Sequence, residues 1–204
     1  MTESLLTRVP VIPVVVVDDL NQAVPIARAL VAGGLPVIEL TLRTPVALGA
    51  IERIAGEVPE IFLGAGTIVD PSQAKQAASA GAQFLVSPGS TRTLLDAMSD
   101  TGLPHLPGVA TVSEILTALE AGYTDLKFFP AEAAGGANYL KSVSSPIPAA
   151  RFCPTGGIST ANAANYLALP NVGCVGGSWI TPVEVVAEQD WASITELAAA
   201  ASTL

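Results

Sequence analysis

Several residue types are scarce in this chain of 204 residues, and each scarcity narrows what the protein can do. One histidine and two separated cysteines do not supply the ligand spacing of a zinc site, so we expect no bound metal. Two cysteines also do not make a disulfide framework. We expect Cys153 and Cys174 to be free, buried thiols in a reducing cytoplasm. Lys and Arg number only 9 against 18 Asp and Glu, and the net charge of −9 disfavours nucleic acid as a partner.

Long hydrophobic runs are also missing. No stretch approaches about 18 uninterrupted apolar residues, so the sequence predicts no membrane span. The first ten residues lack a basic region followed by an apolar one, which predicts no signal peptide. Yet 50% of the residues are hydrophobic and only 13% are charged. Such a chain either buries both faces of many elements or covers part of its surface with a subunit interface.

Short apolar runs alternate along the whole chain with Ala-rich segments of helical period. The runs are continuously apolar rather than alternating, which is typical of strands buried on both faces of a parallel sheet. The predicted strands cover residues 11–17, 36–42, 61–66, 83–87, 103–107, 125–129, 151–154 and 172–176. The predicted helices cover residues 20–32, 45–56, 71–80, 91–99, 112–121, 137–143 and 161–168, with a last helix within 182–203.

Eight strands alternating with eight helices predict an α/β fold, a (β/α)8 TIM barrel that forms a single domain over residues 1–204. A short extra helix is predicted within residues 1–8. The structural rival is a doubly wound open sheet. The strand count and the lack of a Gly-x-Gly-x-x-Gly loop after the first strand favour the barrel. Asp70-Pro71 and Thr44-Pro45 predict helix starts, because a capping side chain precedes proline at the first helical position.

Lys127, one of only three lysines, lies in the run Asp-Leu-Lys-Phe-Phe-Pro at residues 125–130, where its neighbours favour burial. Because burying an ammonium is costly, a buried lysine tends to lose its proton. The neutral amine is a nucleophile toward ketones and aldehydes. The alternative is a lysine whose stem is packed while its head reaches water.

Other polar residues follow the predicted strands, and in a barrel the carboxyl ends of all strands surround one site. Glu39 either relays protons or is a structural partner for Arg43 or a backbone amide. Arg43 either binds a carboxylate through two parallel hydrogen bonds or forms a salt bridge at the rim. Thr67, next to glycines, is either a ligand contact or a helix N-cap. This convergence is the main argument from the residues for an enzyme.

Two glycine pairs follow the last two predicted strands, in Thr-Gly-Gly-Ile-Ser at 155–159 and Gly-Gly-Ser at 176–178. Glycine N–H groups at the ends of these strands can hold a phosphate without any lysine. His105, flanked by Leu-Pro on both sides, is better explained as a packed strand residue than as a catalyst. Without a convincing histidine partner, a serine nucleophile is disfavoured.

In this order and spacing, the motifs resemble the 2-keto-3-deoxy-6-phosphogluconate (KDPG) aldolase and 4-hydroxy-2-oxoglutarate aldolase family. The resemblance covers nearly the whole chain. The motifs that carry it are Ile-Glu-Leu-Thr-Leu-Arg-Thr at 38–44, Gly-Ala-Gly-Thr at 64–67, Ser-Pro-Gly at 87–89, Leu-Lys-Phe-Phe-Pro-Ala-Glu at 126–132, Phe-Cys-Pro-Thr-Gly-Gly-Ile at 152–158 and Gly-Gly-Ser-Trp at 176–179.

The resemblance implies a homotrimeric, cytoplasmic class I aldolase of the Entner–Doudoroff pathway that needs no cofactor and no metal. Its substrate would be 2-dehydro-3-deoxy-6-phosphogluconate, cleaved to pyruvate and glyceraldehyde 3-phosphate. Lys127 would form the Schiff base, and Glu39 would be the acid/base group, often through a water. The substrate-binding residues would be Arg43, Thr67 and Pro88 around the pyruvate half, Phe129 beside the lysine, Thr155 at the edge of the pocket, and Gly156, Gly157, Gly177 and Ser178 at the phosphate.

Two further activities and one non-catalytic function stay open from the sequence. Many relatives also cleave 4-hydroxy-2-oxoglutarate to pyruvate and glyoxylate. An aldolase of the same fold could prefer the 6-phosphogalactonate epimer. A non-catalytic barrel that binds sugar phosphates would have no need for a buried lysine beside a glutamate.

Overall fold

The computed structural model describes residues 4–204, in which short parallel strands are connected by helices. The strands are β1 (Val11–Val15), β2 (Val37–Thr41), β3 (Phe62–Gly66), β4 (Phe84–Val86), β5 (His105–Leu106), β6 (Gly108–Val109), β7 (Asp125–Phe128), β8 (Arg151–Pro154) and β9 (Val175–Gly177). The helices are α1 (Ala23–Ala32), α2 (Ala47–Glu57), α3 (Pro71–Ser79), α4 (Arg92–Ser99), α5 (Val112–Glu120), α6 (Gly136–Ser144), α7 (Ala163–Leu167), α8 (Val183–Ala187) and α9 (Trp191–Ser202).

All strand ladders are parallel, which confirms the predicted α/β fold with a parallel sheet. Six strands form one sheet in the order β5-β4-β3-β2-β1-β9, and three form a second sheet in the order β6-β7-β8. Pro107 alone separates β5 from β6, so the single strand predicted at 103–107 is two short ones. A single bridge between Thr155 and Gly176 joins the end of β8 to β9.

The core lies between the strands and the surrounding helices. All five residues of β1 and all five of β2 are buried, as expected for strands covered on both faces. Helices α1 and α9 approach closely at Gly33, where a Cβ would lie 2.5 Å from the Cβ of Ala198. Only glycine fits this contact without a shift of α9.

One predicted helix start is confirmed and another is wrong. Asp70 is the N-cap of α3, and its side chain forms a capping box with Gln73. Thr44 does not cap a helix, because its hydroxyl donates to the carbonyl oxygen of Val17 at 2.6 Å. Helix α2 therefore begins later, at Ala47.

The predicted terminal helices also differ in detail from the structure. The last predicted helix is two helices, α8 and α9, and between them Gln189 has a positive φ of 56°, which a helix cannot accommodate. Of the extra helix predicted within residues 1–8, Met1 to Glu3 lie outside the described residues, and Leu5–Thr7 forms one 3-10 turn.

Cys153 and Cys174 are free and buried, as predicted. Within residues 4–204, no helix is long and apolar enough to cross a membrane.

Candidate active site

The centre of the site is an ion pair between Lys127 on β7 and Glu39 on β2. The Nζ of Lys127 lies 2.9 Å from Oε1 of Glu39, and both side chains are almost fully buried, at 5% and 3% exposure. The head of Lys127 therefore does not reach water, and the partner of Glu39 is the lysine amine rather than Arg43. Because β2 belongs to the six-stranded sheet and β7 to the three-stranded sheet, this pair connects the two sheets across the interior.

The alternation of side chains along β7 places Lys127 on the inner face. Leu126 and Phe128 are fully buried on the opposite face, and Phe128 stacks on Tyr139 of α6 with ring centroids 5.2 Å apart. Lys127 itself pairs in register with Gly108 on β6 and Cys153 on β8. The apolar sequence around the lysine is thus the outer, helix-facing packing of the strand that presents it.

Arg43 and Thr67 form a second contact at the carboxyl ends of β2 and β3. The Nε of Arg43 donates to Oγ1 of Thr67 at 3.1 Å. Thr67 has a φ of 60°, an unusual conformation for a β-branched residue. The N-cap interpretation of Thr67 is wrong, since Asp70 caps α3. Within residues 4–204, Arg43 also forms no salt bridge, so its guanidinium keeps hydrogen-bonding capacity for a ligand.

Phe129 and Pro88 lie on two further strand ends. The ring centroid of Phe129 is 5.5 Å from Nζ of Lys127, close enough for a cation–π contact when the amine is protonated. Pro88 follows β4 and packs against Gly108. A Cβ on Gly108 would lie 2.5 Å from the amide nitrogen of Gly89, the residue after Pro88. Ser87 and Ser90 bond to the backbone of Gly108, so these two hydroxyls hold the loop.

The residues predicted at the phosphate follow β8 and β9, whose ends meet at the bridge between Thr155 and Gly176. Thr155 is buried, whereas Ser178 is exposed. Gly156 and Gly157 have φ values of 98° and 79°, in the left-handed region that favours glycine. In the described part of the chain, the amides of Gly156, Gly157 and Ser178 have no protein acceptor and can therefore donate to an anion.

Sequence reasoning missed three residues that shape this site. Gly66 was mentioned only as a glycine next to Thr67, and its neighbour in the structure is Glu39. Trp179 entered only as the last residue of the motif at 176–179, and its ring lies against Gly177, where a Cβ would be 2.6 Å from Cη2. Glu132 lies against Gly157, and only its place in the motif at 126–132 pointed to it.

His105 lies away from these residues, at the amino end of β5, as expected for a packed strand residue. Its Nδ1 is 3.3 Å from the carbonyl oxygen of Leu103, and its ring is 4.4 Å from that of Tyr123. Burial lowers the pKa of His105 below its ordinary value of 6.5. A cavity of about 820 Å³ beside it is lined by residues at the amino ends of the strands, including Asp125 and Arg151.

Proteins that are about half identical to this chain over nearly its whole length are named aldolases. The sequence model described as "Aldolase: KDPG and KHG aldolase" matches residues 2–197. The KHG/KDPG aldolase of Escherichia coli strain K12 is 51% identical over 196 residues, which cover 96% of this chain and 92% of the relative. The 2-dehydro-3-deoxy-phosphogluconate aldolase of Pseudoalteromonas atlantica is 48% identical over 197 residues, 97% of this chain and 92% of the relative.

A solved structure agrees with these relatives. The crystal structure of KDPG aldolase from Legionella pneumophila, with pyruvate captured at low pH as a covalent carbinolamine intermediate, superimposes with a TM-score of 0.95. It is 50% identical, and the match covers 97% of this chain and 96% of that one. The protein is therefore an enzyme, a carbon–carbon lyase of the aldolase type. It belongs to the KDPG and KHG aldolase family.

Proposed function

We propose that the protein is a class I aldolase that cleaves 2-dehydro-3-deoxy-6-phosphogluconate to pyruvate and glyceraldehyde 3-phosphate in the Entner–Doudoroff pathway. The observation that carries the proposal is the buried amine of Lys127, 2.9 Å from the carboxylate of Glu39. A nucleophile within hydrogen-bond reach of a proton acceptor is the arrangement that covalent catalysis requires. The captured pyruvate adduct of the Legionella relative belongs to the same chemistry.

The reaction begins at the amine of Lys127, which attacks the C2 ketone of the substrate; loss of water gives an imine. The protonated imine draws electrons from the C3–C4 bond. Glu39 helps to remove the proton of the C4 hydroxyl, directly or through a water, and the C3–C4 bond breaks. Glyceraldehyde 3-phosphate leaves, and a pyruvate enamine stays on Lys127. Protonation of the enamine and hydrolysis of the imine release pyruvate and restore the amine.

The other residues orient the substrate. Arg43, held by Thr67 at 3.1 Å, binds the carboxylate and so places C2 against the amine. Pro88 and Phe129 line the pyruvate half beside the lysine. The free amides of Gly156, Gly157 and Ser178 receive the phosphate together with Gly177, and Thr155 lies at the edge of this pocket.

We further propose that the two sheets close into one (β/α)8 barrel, a single domain over residues 1–204. The ion pair that connects them, the bridge between Thr155 and Gly176 and the single proline between β5 and β6 support this closure. A cytoplasmic homotrimer is also part of the proposal. Exposed Val112 and Leu116, one turn apart on α5, give apolar surface that a subunit contact would cover.

A second activity on 4-hydroxy-2-oxoglutarate is supported by the name of the Escherichia coli relative, a KHG/KDPG aldolase. Steady-state rates on this compound, on the phosphogluconate substrate and on its phosphogalactonate epimer will rank the three. A galactonate preference would require the epimer to be cleaved faster, and the identity of about half to KDPG aldolases does not favour it. The same identity does not favour a non-catalytic barrel.

The nucleophile is tested by borohydride reduction in the presence of pyruvate, followed by mass spectrometry of peptides. We expect a reduced pyruvyl adduct on Lys127 and none on Lys75 or Lys141, which are both exposed. Lys127→Ala should abolish turnover, while Lys75→Ala should leave it unchanged. Glu39→Gln should slow cleavage but leave part of the pyruvate trapping. An adduct on another residue, or turnover by pure Lys127→Ala protein, would overturn the assignment.

A further inference from the structure

Tyr166 and Glu132 form a hydrogen-bonded pair that takes no part in the chemical steps described above. The Tyr166 side chain is fully buried, and its hydroxyl donates to Oε1 of Glu132. A buried tyrosine hydroxyl needs a partner, and Glu132 provides it. Burial, together with the bond to Glu132, raises the pKa of Tyr166, so the hydroxyl stays a donor at any working pH. Tyr166 belongs to α7, whereas Glu132 lies after β7, so the bond joins two distant segments.

The pair is in contact with the loop at 155–159, which the proposed function assigns to the phosphate. A Cβ on Gly157 would lie 2.6 Å from Cγ and 2.8 Å from Cβ of Glu132, so the glutamate stem fills the side that an ordinary side chain would need. The amide of Glu132 also donates to the carbonyl oxygen of Gly156 at 3.1 Å. Glu132 therefore holds both glycines of the loop, one through its backbone and one through its stem.

The same pair is fixed from its other side. A Cβ on Gly136, at the start of α6, would lie 3.3 Å from the Tyr166 hydroxyl and 3.4 Å from Oε1 of Glu132. Asn162, just before α7, holds the far end of the loop. Its Nδ2 donates to the carbonyl oxygen of Gly157 at 3.0 Å, and its Oδ1 accepts from the amide of Ser159 at 2.8 Å. The loop is thus fixed between Glu132 and α7, and the Tyr166 hydroxyl joins these two supports.

We infer that Glu132 and Tyr166 are positioning residues that hold the amides of Gly156 and Gly157 in the orientation that binds the substrate phosphate, and that they thereby set the preference for phosphorylated substrates. The inference rests on the proposed function. Gly157 has a φ of 79°, a conformation that glycine leaves easily when nothing confines it. Preorganised amides bind an anion without a further ordering cost, whereas a mobile loop must be ordered at each binding event.

The test compares a ligand that has a phosphate with one that lacks it. Pyruvate reaches the same lysine but carries no phosphate, so its trapping by borohydride reports the imine half of the site alone. The variants are Tyr166→Phe, which removes only the hydroxyl, and Glu132→Ala, which removes the acceptor of that hydroxyl at an exposed position. Glu132→Gln keeps an acceptor for Tyr166. Tyr139→Phe is the matched control, because the buried Tyr139 hydroxyl has no hydrogen-bond partner within residues 4–204.

We expect Tyr166→Phe and Glu132→Ala to raise KM for the phosphogluconate substrate about tenfold, the effect of losing one hydrogen bond to a charged group. The pyruvate concentration that gives half-maximal trapping should stay within about twofold of the wild type. Glu132→Gln and Tyr139→Phe should resemble the wild type in both measurements.

An unchanged KM in both Tyr166→Phe and Glu132→Ala would overturn the inference. So would an equal rise for substrate and pyruvate, since that result indicates a general loosening of the fold. Failure of the proposed function looks different, because the wild-type enzyme itself would then neither trap pyruvate on Lys127 nor cleave the phosphorylated substrate. That outcome would remove both proposals together.

Discussion

Gly66 on β3 leaves room for the carboxylate of Glu39 on the neighbouring strand. A Cβ at position 66 would lie 2.6 Å from Cγ and 2.7 Å from Cδ of Glu39, distances that real Cβ atoms do not tolerate. Since Glu39 is buried and bonded to Lys127, a side chain at position 66 would push the carboxylate away from the amine. The glycine at position 66 therefore permits the ion pair at the centre of the site.

Gly66→Ala should displace Glu39 from Lys127 and lower kcat by at least about 100-fold, the contribution expected of a general acid–base group. Measured kcat and borohydride trapping with pyruvate will separate loss of proton transfer from loss of the imine. Gly56→Ala is the control, because this exposed glycine in α2 has open space around it. It should leave kcat unchanged and stabilise the fold by about 0.5–1 kcal/mol. A Gly66→Ala enzyme with normal kcat would show that Glu39 is not needed where the structure places it.

The hydroxyl of Thr67 fixes the guanidinium of Arg43. Thr67→Ala removes the acceptor of the 3.1 Å bond from Nε, so Arg43 should become mobile and KM for 2-keto acids should rise about tenfold. Thr67→Ser keeps the hydroxyl and should remain near the wild type. Steady-state kinetics on both variants checks this. If the serine variant lost as much affinity as the alanine variant, the methyl group or the backbone at position 67, rather than the hydroxyl, would be the important feature.

The strand and helix pattern, and the burial of Lys127, could be predicted because they depend on local composition. Apolar runs indicate the strands, and a lysine inside such a run is buried because both faces of the strand are covered. Helix ends with strong local signals, such as Asp70-Pro71, were also predictable. Thr44-Pro45 carries the same signal, yet the Thr44 hydroxyl bonds instead to Val17, a residue 27 positions away. A contact of this kind depends on tertiary structure, which no local pattern encodes.

The contacts within the site were less predictable for the same reason. The separation of Glu39 and Lys127 is 88 residues, and only the strand order makes them neighbours. The contact between Glu132 and Gly157 could be predicted only by knowing which face of the loop the glutamate side chain covers. The division of the predicted strand at Pro107 differs from these contacts. Proline has no N–H to donate to a neighbouring strand, so the cause of the division was visible in the sequence.

The buried thiols of Cys153 and Cys174 should be unreactive in the native enzyme. The pKa of Cys174 is raised well above its ordinary value, mainly by a hydrogen bond with Cys153 and next by burial. Little thiolate therefore forms at Cys174. We expect negligible labelling by a disulfide reagent at pH 8 and reaction of both cysteines in guanidinium chloride. Rapid labelling of the folded protein would mean that the region around β8 and β9 opens locally without global unfolding.

His105 should make the fold sensitive to mild acid. Because burial lowers its folded pKa below 6.5, the unfolded chain takes up a proton first as the pH falls through 6.5. Above that pH the ring is neutral in both states and has no effect. Below it the free energy of unfolding should decrease until the pH reaches the lowered folded pKa. Denaturant unfolding of the wild type at several pH values will measure this decrease.

His105→Phe isolates the effect, since His105 is the only histidine in the chain. The substitution keeps an aromatic ring beside Tyr123 and removes Nε2, which is buried without a hydrogen-bond partner among residues 4–204. Carboxylates titrate alike in the two proteins, so the difference between their unfolding free energies reports the histidine alone. We expect that difference to grow in favour of the variant as the pH falls below 6.5. A difference that stays constant with pH would show that the buried ring takes up a proton as readily in the folded state as in the unfolded chain.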